Sequence, residues 1–136
     1  MRKASSEYNP SEMDIVHLLQ IWILPQKKGV VPSYEQRSFS EEQKHNRFCL
    51  IASGVRDHEA VKIHQDANLY AAQLSAGEKN VFEISGGRFV WVQVICGEIL
   101  LNALLLKGGD GARIMEEEIL TFTTKQNSEI LLFDLA

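Results

Sequence analysis

From residue 47 to the end of the chain, short apolar runs alternate with polar or glycine-bearing turns. The runs are rich in β-branched and aromatic residues, and they recur at roughly 8–12-residue spacing, which is typical of short strands. No stretch shows the apolar periodicity of a long amphipathic helix. Strands this short and this apolar need a second layer, or closure into a barrel, to cover their edges. The sequence therefore predicts an all-β fold, either a sandwich or a small barrel.

The strongest predicted strand is Phe89 to Cys96 (FVWVQVIC), and turns are predicted on its C-terminal side. Gly97-Glu98 is expected to turn the chain back into a strand at residues 99–101. The glycine-rich stretch 107–111 leads into a strand, whereas a phosphate-binding loop would open a helix. We therefore interpret this stretch as a turn in which the Asp110 carboxylate accepts hydrogen bonds from turn amides.

The N-terminal region differs from the rest of the chain. Residues 15–24 (IVHLLQIWIL) are nearly continuously apolar and end at a proline, which predicts a strand buried on both faces. Residues 25–46 are polar and hold two of the three prolines, so they are interpreted as a linker, with Ser40 capping a single helical turn. We expect residues 1–44 to form an arm with one apolar strand and a linker, and residues 45–136 to form the barrel.

Composition excludes several classes of function. The net charge of −4 disfavours a general nucleic-acid binder or an anionic-membrane binder, because both need a basic surface. No segment approaches the roughly 20 apolar residues of a membrane span. The first ten residues have no apolar stretch behind them and do not resemble a signal peptide. We therefore expect a cytoplasmic protein with no nucleic-acid or membrane partner.

The chain has two cysteines, Cys49 and Cys96, and both occur in apolar runs outside any C-x-x-C motif. This placement predicts two buried thiols in a reducing compartment. A disulfide or a reactive thiol is the alternative.

Several distinctive segments occur together along the chain: QIWILP, PSYEQ, KIHQDANLY, GDGA and LLFDL. In this combination the sequence resembles the second barrel of pirin-like proteins over essentially its whole length. The resemblance implies a jelly-roll barrel of the cupin type. Pirin-like proteins are bicupins, and their first barrel holds a metal through three histidines and one glutamate. Some bacterial members are associated with quercetin 2,3-dioxygenase activity, and the second barrel usually has no metal site.

The resemblance also shows which ligand positions this sequence retains. In the family, the third histidine and the glutamate lie in an H-S-E-[YF]-N segment, where this chain has Ser5-Ser6-Glu7-Tyr8-Asn9. Ser5 therefore stands at the histidine position, Glu7 is the one match to a ligand, and the upstream H-x-H segment is absent. One carboxylate does not make a transition-metal site. We therefore expect no metal, no cofactor and no catalytic residue, with Glu7 an exposed acidic residue on a loose arm.

The histidines do not supply the missing ligands. No two of them have H-x-H or H-x-x-x-H spacing, although a pairing of His17 with His64 in space stays open. The four are His17, His45, His58 and His64.

Gln93 is a polar residue inside the most apolar strand, where alternation puts it on one face with Phe89, Trp91 and Ile95. If this face lines the barrel, Trp91 and Gln93 are candidates to contact a small-molecule ligand. In the other interpretation the face points outward or packs on a partner, and water satisfies Gln93. A small barrel can also be filled by its own side chains.

Two functional hypotheses follow. The first is a non-catalytic cupin module that acts in binding or assembly. The second is part of a metal-dependent quercetin 2,3-dioxygenase-like enzyme, whose metal-binding barrel lies on another chain or an upstream segment. In either case residues 15–24 are too apolar to be left in water. We expect a homodimer in which the arms pair or exchange, since twofold assembly is the commonest way to cover such a surface.

Overall fold

The computed structural model of the protein describes residues 6–55 and 59–136. The predictions made for Ser5 and His58 therefore lie outside the described residues. The elements are, in chain order, the helix α1 (Glu41–Lys44) and the strands β1 (Cys49–Ser53), β2 (Val61–Lys62), β3 (Ala67–Leu74), β4 (Lys79–Glu83), β5 (Phe89–Leu101), β6 (Leu104–Lys107), β7 (Gly111–Ile114) and β8 (Ile119–Leu135). The all-β prediction is confirmed.

Two long strands, β5 and β8, run through the whole molecule and pair with each other antiparallel. The first half-sheet consists of β2, β1, β3, the C-terminal part of β8, the N-terminal part of β5, and β7. The second half-sheet consists of β4, the N-terminal part of β8, the C-terminal part of β5, and β6. Because both long strands belong to both half-sheets, the two layers form one continuous jelly roll.

The predicted turn at Gly97-Glu98 is wrong, since Phe89–Leu101 is a single strand. The register between β5 and β8 shifts on both sides of Cys96, which marks a bulge. Gly97 has a φ of 93°, a conformation that glycine adopts without the steric cost paid by other residues. A bulge bends a strand and increases its twist. The chain therefore crosses from one half-sheet to the other at this point and does not reverse.

The main core fills the space between the half-sheets. From the first half-sheet come Val90, Val92 and Val94, and Phe122 comes from the second; all four are almost completely buried. Phe48 packs against Phe122 with ring centroids 5.1 Å apart. The other buried members of this cluster are Ala72, Leu74, Ile99, Leu101, Leu106, Ala112, Leu120, Ile130 and Leu132. Apolar side chains thus pack the interior of the barrel.

A second apolar cluster lies on the outer face of the first half-sheet. Its buried members are Ala52, Leu69, Ala71 and Leu131, and Phe133 packs against them. This half-sheet is therefore apolar on both faces, which is unusual for an antiparallel sheet with one side toward water. An apolar outer face implies that something covers it.

The arm covers part of this outer face, but it does not form the predicted strand. Residues 15–24 have no regular secondary structure and belong to no β-ladder. Leu19 and Ile21 line a cavity with side chains of the first half-sheet, whereas Trp22 on the other side of the arm is exposed. The predicted helical turn is confirmed: Ser40 caps α1, and its side chain accepts a hydrogen bond from the Gln43 amide. Among the described residues, no helix has the length and apolar character of a membrane span.

Three hydrogen bonds hold the arm and linker beside β2 and the loop after it. The Gln26 amide donates to the His64 carbonyl at 2.8 Å, and the Gln65 side chain donates to the Leu24 carbonyl at 2.8 Å. The Glu35 carboxylate accepts from the Lys62 amide at 3.0 Å. The linker is therefore tied to the barrel at several points along its length.

The Glu35 contact is expected to make linker docking depend on pH. The hydrogen bond from the Lys62 amide, aided by Arg37, lowers the pKa of the Glu35 carboxyl. A lowered pKa stabilises the docked state above the ordinary glutamate pKa of about 4.3, and this stabilisation is lost as pH falls through the lower, folded value. We expect the protection factor of the Lys62 amide to fall on acidification. In Glu35→Gln this amide should show no such titration; an unchanged titration would assign the effect to another group.

Candidate functional site

Trp91 and Gln93 lie on the outside of the barrel. Their alternation partners Val90, Val92 and Val94 are buried in the main core, so the Trp91 face of β5 points outward. The interpretation in which this face lines the barrel interior is therefore wrong, and the outward interpretation is confirmed. Alternation fixes which residues share a face, but the more apolar valine face takes the interior because it buries no polar group.

The Gln93 side chain is bonded to the protein, which corrects the expectation that water satisfies it. Its Nε2 donates to the carbonyls of Gly109 and Asp110 at 3.2 and 3.1 Å. The Asp110 carboxylate in turn accepts from the Lys107 amide at 2.8 Å, as predicted for this turn. Gln93 thus attaches the β6–β7 turn to the outer face of β5.

Trp91 covers the start of β7. A side chain built on Gly111 would collide with the indole ring, so only glycine allows Trp91 to lie this close to the backbone. The indole Nε1 points to Gln93 Oε1 at 3.4 Å. Trp91 and Gln93 therefore act together in fixing the 107–111 turn.

The same two residues form one wall of a cavity of about 370 Å³ between the arm and the first half-sheet. The cavity is lined by Leu19, Gln20, Ile21, Trp91, Gln93, Leu131 and Phe133. Most of this lining is apolar, and the amide of Gln93 is already engaged. Trp91 and Gln93 therefore line a cavity outside the barrel, and their contact with a ligand stays a prediction.

Truncation of Trp91 is expected to be moderately destabilising. The residue is 39% exposed, so Trp91→Ala should lower the free energy of unfolding by about 1–2 kcal/mol, less than for a fully buried tryptophan. Urea denaturation measures this. Tyr8→Ala, at an aromatic position that is 88% exposed and lies outside residues 15–24, is the control and should leave stability unchanged. An equal loss in both variants would contradict this placement of the two side chains.

Residues 6–55 and 59–136 do not bring together the ligands of a transition-metal site. In the part of the chain that the structure describes, no three or more His, Cys, Asp or Glu side chains are close enough to hold a metal ion. Glu7 is exposed on the arm, and His17, His45 and His64 are exposed as well. We therefore derive no chemistry through a metal held by this chain.

Cys96 is exposed, so the prediction that both thiols are buried is wrong for this residue. It lies where the β5 register shifts, and a bulge disrupts the simple inside–outside alternation from which burial was expected. Cys49 is partly buried, and burial raises the pKa of its thiol. Both thiols are free.

A charged network at one end of the first half-sheet escaped the sequence analysis. Arg88 donates to Asp134 at 2.6 Å and to Asp66 at 2.9 Å, and the bond to Asp134 raises the pKa of the guanidinium. Asn68 also donates to Asp134, at 3.1 Å, and accepts from Ser53 at 2.6 Å. The one sequence signal was Asp134 at an inward position of β8. The network joins the start of β5, the end of β8 and the start of β3.

The fold described above defines a cupin-type β-barrel. Residues 50–135 match the family described as "Quercetinase C-terminal cupin domain". The chain belongs to this family, which confirms the resemblance to the second barrel of pirin-like proteins.

Relatives and solved structures agree with this assignment. The chain is 39% identical over 130 residues to the quercetin 2,3-dioxygenase of Escherichia coli K12, covering 96% of this chain and 55% of that protein. It is 32% identical over 132 residues to a pirin-like protein of Caulobacter vibrioides, covering 96% and 56%. The E. coli bacterial pirin YhhW in complex with nickel(II) superposes with a TM-score of 0.77 at 35% identity, covering 84% of this chain and 48% of that one. The chain spans about half the length of these relatives.

Proposed function

We propose that this chain is a non-catalytic cupin module that acts in binding or assembly. In this proposal the metal site of the family is missing from the chain. The observation that carries the proposal is the two-sided apolar arm. One side faces the first half-sheet through Leu19 and Ile21, while Ile15, Trp22 and Leu24 are 98%, 85% and 81% exposed. Exposed apolar side chains grouped on one segment form a surface suited to binding a partner.

The partner that this surface fits best is a second copy of the chain. The backbone of residues 15–24 joins no ladder, so apart from the Leu24 carbonyl, which accepts from Gln65, its amides and carbonyls can pair with a segment of another chain. Two copies of the arm related by a twofold axis would form hydrogen bonds between their backbone amides and carbonyls. They would also cover each other's apolar side chains. We therefore propose a homodimer through the arms, in the cytoplasm, where the two free thiols would stay reduced.

The oligomeric state tests this proposal. Light scattering coupled to size exclusion should show a dimer for the full chain, with dissociation in a variant that combines Ile15→Ser, Trp22→Ser and Leu24→Ser. The matched control combines Val81→Ser and Leu104→Ser, two exposed apolar positions of the second half-sheet. A monomeric full chain would refute the dimer. A dimer that persists in the arm variant but dissociates in the control variant would place the interface on the barrel.

Metal content tests the non-catalytic part of the proposal. After stripping and then loading with iron, copper or nickel, the protein should hold less than stoichiometric metal by elemental analysis, and it should not open a flavonol ring. The reason is that the donor groups described above do not converge. One tightly bound metal per chain would overturn this expectation.

The alternative is a role as one part of a quercetin 2,3-dioxygenase-like enzyme. The observation that favours it is the 39% identity to the E. coli enzyme, of which this chain spans 55%. The exposed side of the arm would then pack on a metal-binding barrel from another chain or an upstream segment. Mixing this chain with the remaining half of the E. coli relative distinguishes the two. If the mixture cleaves a flavonol in a metal-dependent way and neither part does so by itself, the enzyme alternative is favoured.

A further inference from the structure

A polar cavity of about 390 Å³ lies where the linker crosses β2 and the loop after it. The linker contributes Gln26 and Lys27, and the barrel contributes Lys62, His64 and neighbouring residues through Asn68. The hydrogen bond from the Gln26 amide to the His64 carbonyl holds the two sides together at 2.8 Å. Volumes of this order are typical of small-molecule sites. This cavity is separate from the apolar cavity at Trp91.

The acidic and amide groups on its barrel side are already engaged. Asp66 pairs with Arg88 at 2.9 Å, and both ends of the Asn68 amide are bonded within the charged network. The Gln65 side chain donates to the Leu24 carbonyl and accepts from the Asp66 amide, each at 2.8 Å. These groups therefore have little capacity left for a ligand.

The donors that remain include two ammonium groups. Within residues 6–55 and 59–136, the Lys27 and Lys62 ammonium groups form no ion pair, and the His64 ring and the Gln26 side-chain amide form no hydrogen bond. The ammonium groups are donors only, while the imidazole and amide can donate as well. On a chain of net charge −4, such a local excess of unused positive donors is selective for an anion.

We propose that this cavity binds a small oxyanion, either a phosphate group or a carboxylate, held by Lys27 and Lys62 with His64 and Gln26 as further donors. Because Lys27 belongs to the linker and Lys62 to the barrel, the bound anion would bridge the two and tighten linker docking. The site is independent of the proposed assembly function, since no residue of the exposed arm surface lines it.

The test is an NMR titration of the ¹⁵N-labelled full chain with sodium phosphate and, separately, sodium succinate, each compared with sodium chloride at equal ionic strength. We expect saturable shifts of the amides at residues 26–27 and 62–66 with at least one oxyanion and not with chloride. Phosphate alone would identify a phosphate site, and succinate alone a carboxylate site. The combined variant Lys27→Gln and Lys62→Gln should weaken binding roughly tenfold or more, because charged hydrogen bonds are lost.

The matched control combines Lys79→Gln and Lys125→Gln, which removes the same charge from the second half-sheet. It should bind as the unaltered chain does, and thermal melting should show that both variants are folded. The proposal is overturned if neither oxyanion gives saturable shifts at these amides. Equal weakening by the control variant would also overturn it, since that would show only a response to net charge.

Discussion

Phe122→Ala is expected to lower the free energy of unfolding by about 3–5 kcal/mol, the largest effect of any substitution considered. Phe122 is completely buried, and it lies between the half-sheets against Phe48, whose ring centroid is 5.1 Å away. Removal of its ring leaves a cavity between the two half-sheets. The half-sheets cannot easily move together to fill it, because β5 and β8 belong to both of them. Urea denaturation monitored by tryptophan fluorescence measures the loss.

Phe89→Ala is the matched control for this prediction. It removes the same ring from β5, but at a position 37% exposed on the outer face. We expect a loss of about 1 kcal/mol. Phe122→Leu keeps most of the volume and should remain folded even if the alanine variant does not. Similar losses for Phe122→Ala and Phe89→Ala would contradict the assignment of inner and outer faces.

Gly97→Ala is expected to lower the free energy of unfolding by about 2–4 kcal/mol. Two costs add here. A residue with a side chain pays about 1 kcal/mol or more at a φ of 93°, and overpacking against backbone typically costs about 1–3 kcal/mol. The added Cβ would lie 2.6 Å from the Asn127 carbonyl oxygen and collide with Ser128 across the β5–β8 ladder. Both neighbours are held in the sheet and cannot move away freely.

Gly77→Ala separates the two costs. Gly77 has a φ of 84°, but an added Cβ there would meet nothing within 4 Å. Its loss should therefore be about 1 kcal/mol, the conformational part alone. The difference between the variants in thermal or urea denaturation measures the packing at the bulge. Equal losses of unfolding free energy in the two variants would mean that Asn127 and Ser128 of β8 move to make room for the added Cβ.

The losses expected for these substitutions follow from a barrel whose interior is packed with apolar side chains. The main core, which includes Val92 and Phe122, fills the interior between the half-sheets. Three features of the described residues are candidates for binding, and all lie outside the interior: the two-sided arm, the apolar cavity at Trp91, and the polar cavity at Lys27 and Lys62 for which we propose an oxyanion. Each of them involves the N-terminal arm or linker, the region in which the sequence prediction and the structure differ most.

Local sequence determined most of the barrel. Strand spacing and β-branched composition led to the all-β fold, Ser40 to the capped helical turn, and Asp110 to its turn, because these depend on interactions within a few residues. The family resemblance rested on segments spread along the chain, and it holds over residues 50–135.

Tertiary structure decided the rest. Alternation placed Trp91 and Gln93 on one face, but only the packing of two layers determined that this face lies outside. Gly97 is equally suited to a turn or a bulge, and the partner strand β8 selected the bulge, which also left Cys96 exposed. The run 15–24 is apolar enough for a buried strand, yet a strand needs hydrogen-bonding neighbours, and this barrel offers it only an outer face. Such outcomes depend on contacts between residues that are distant in sequence. A local sequence pattern does not predict the energies of these contacts.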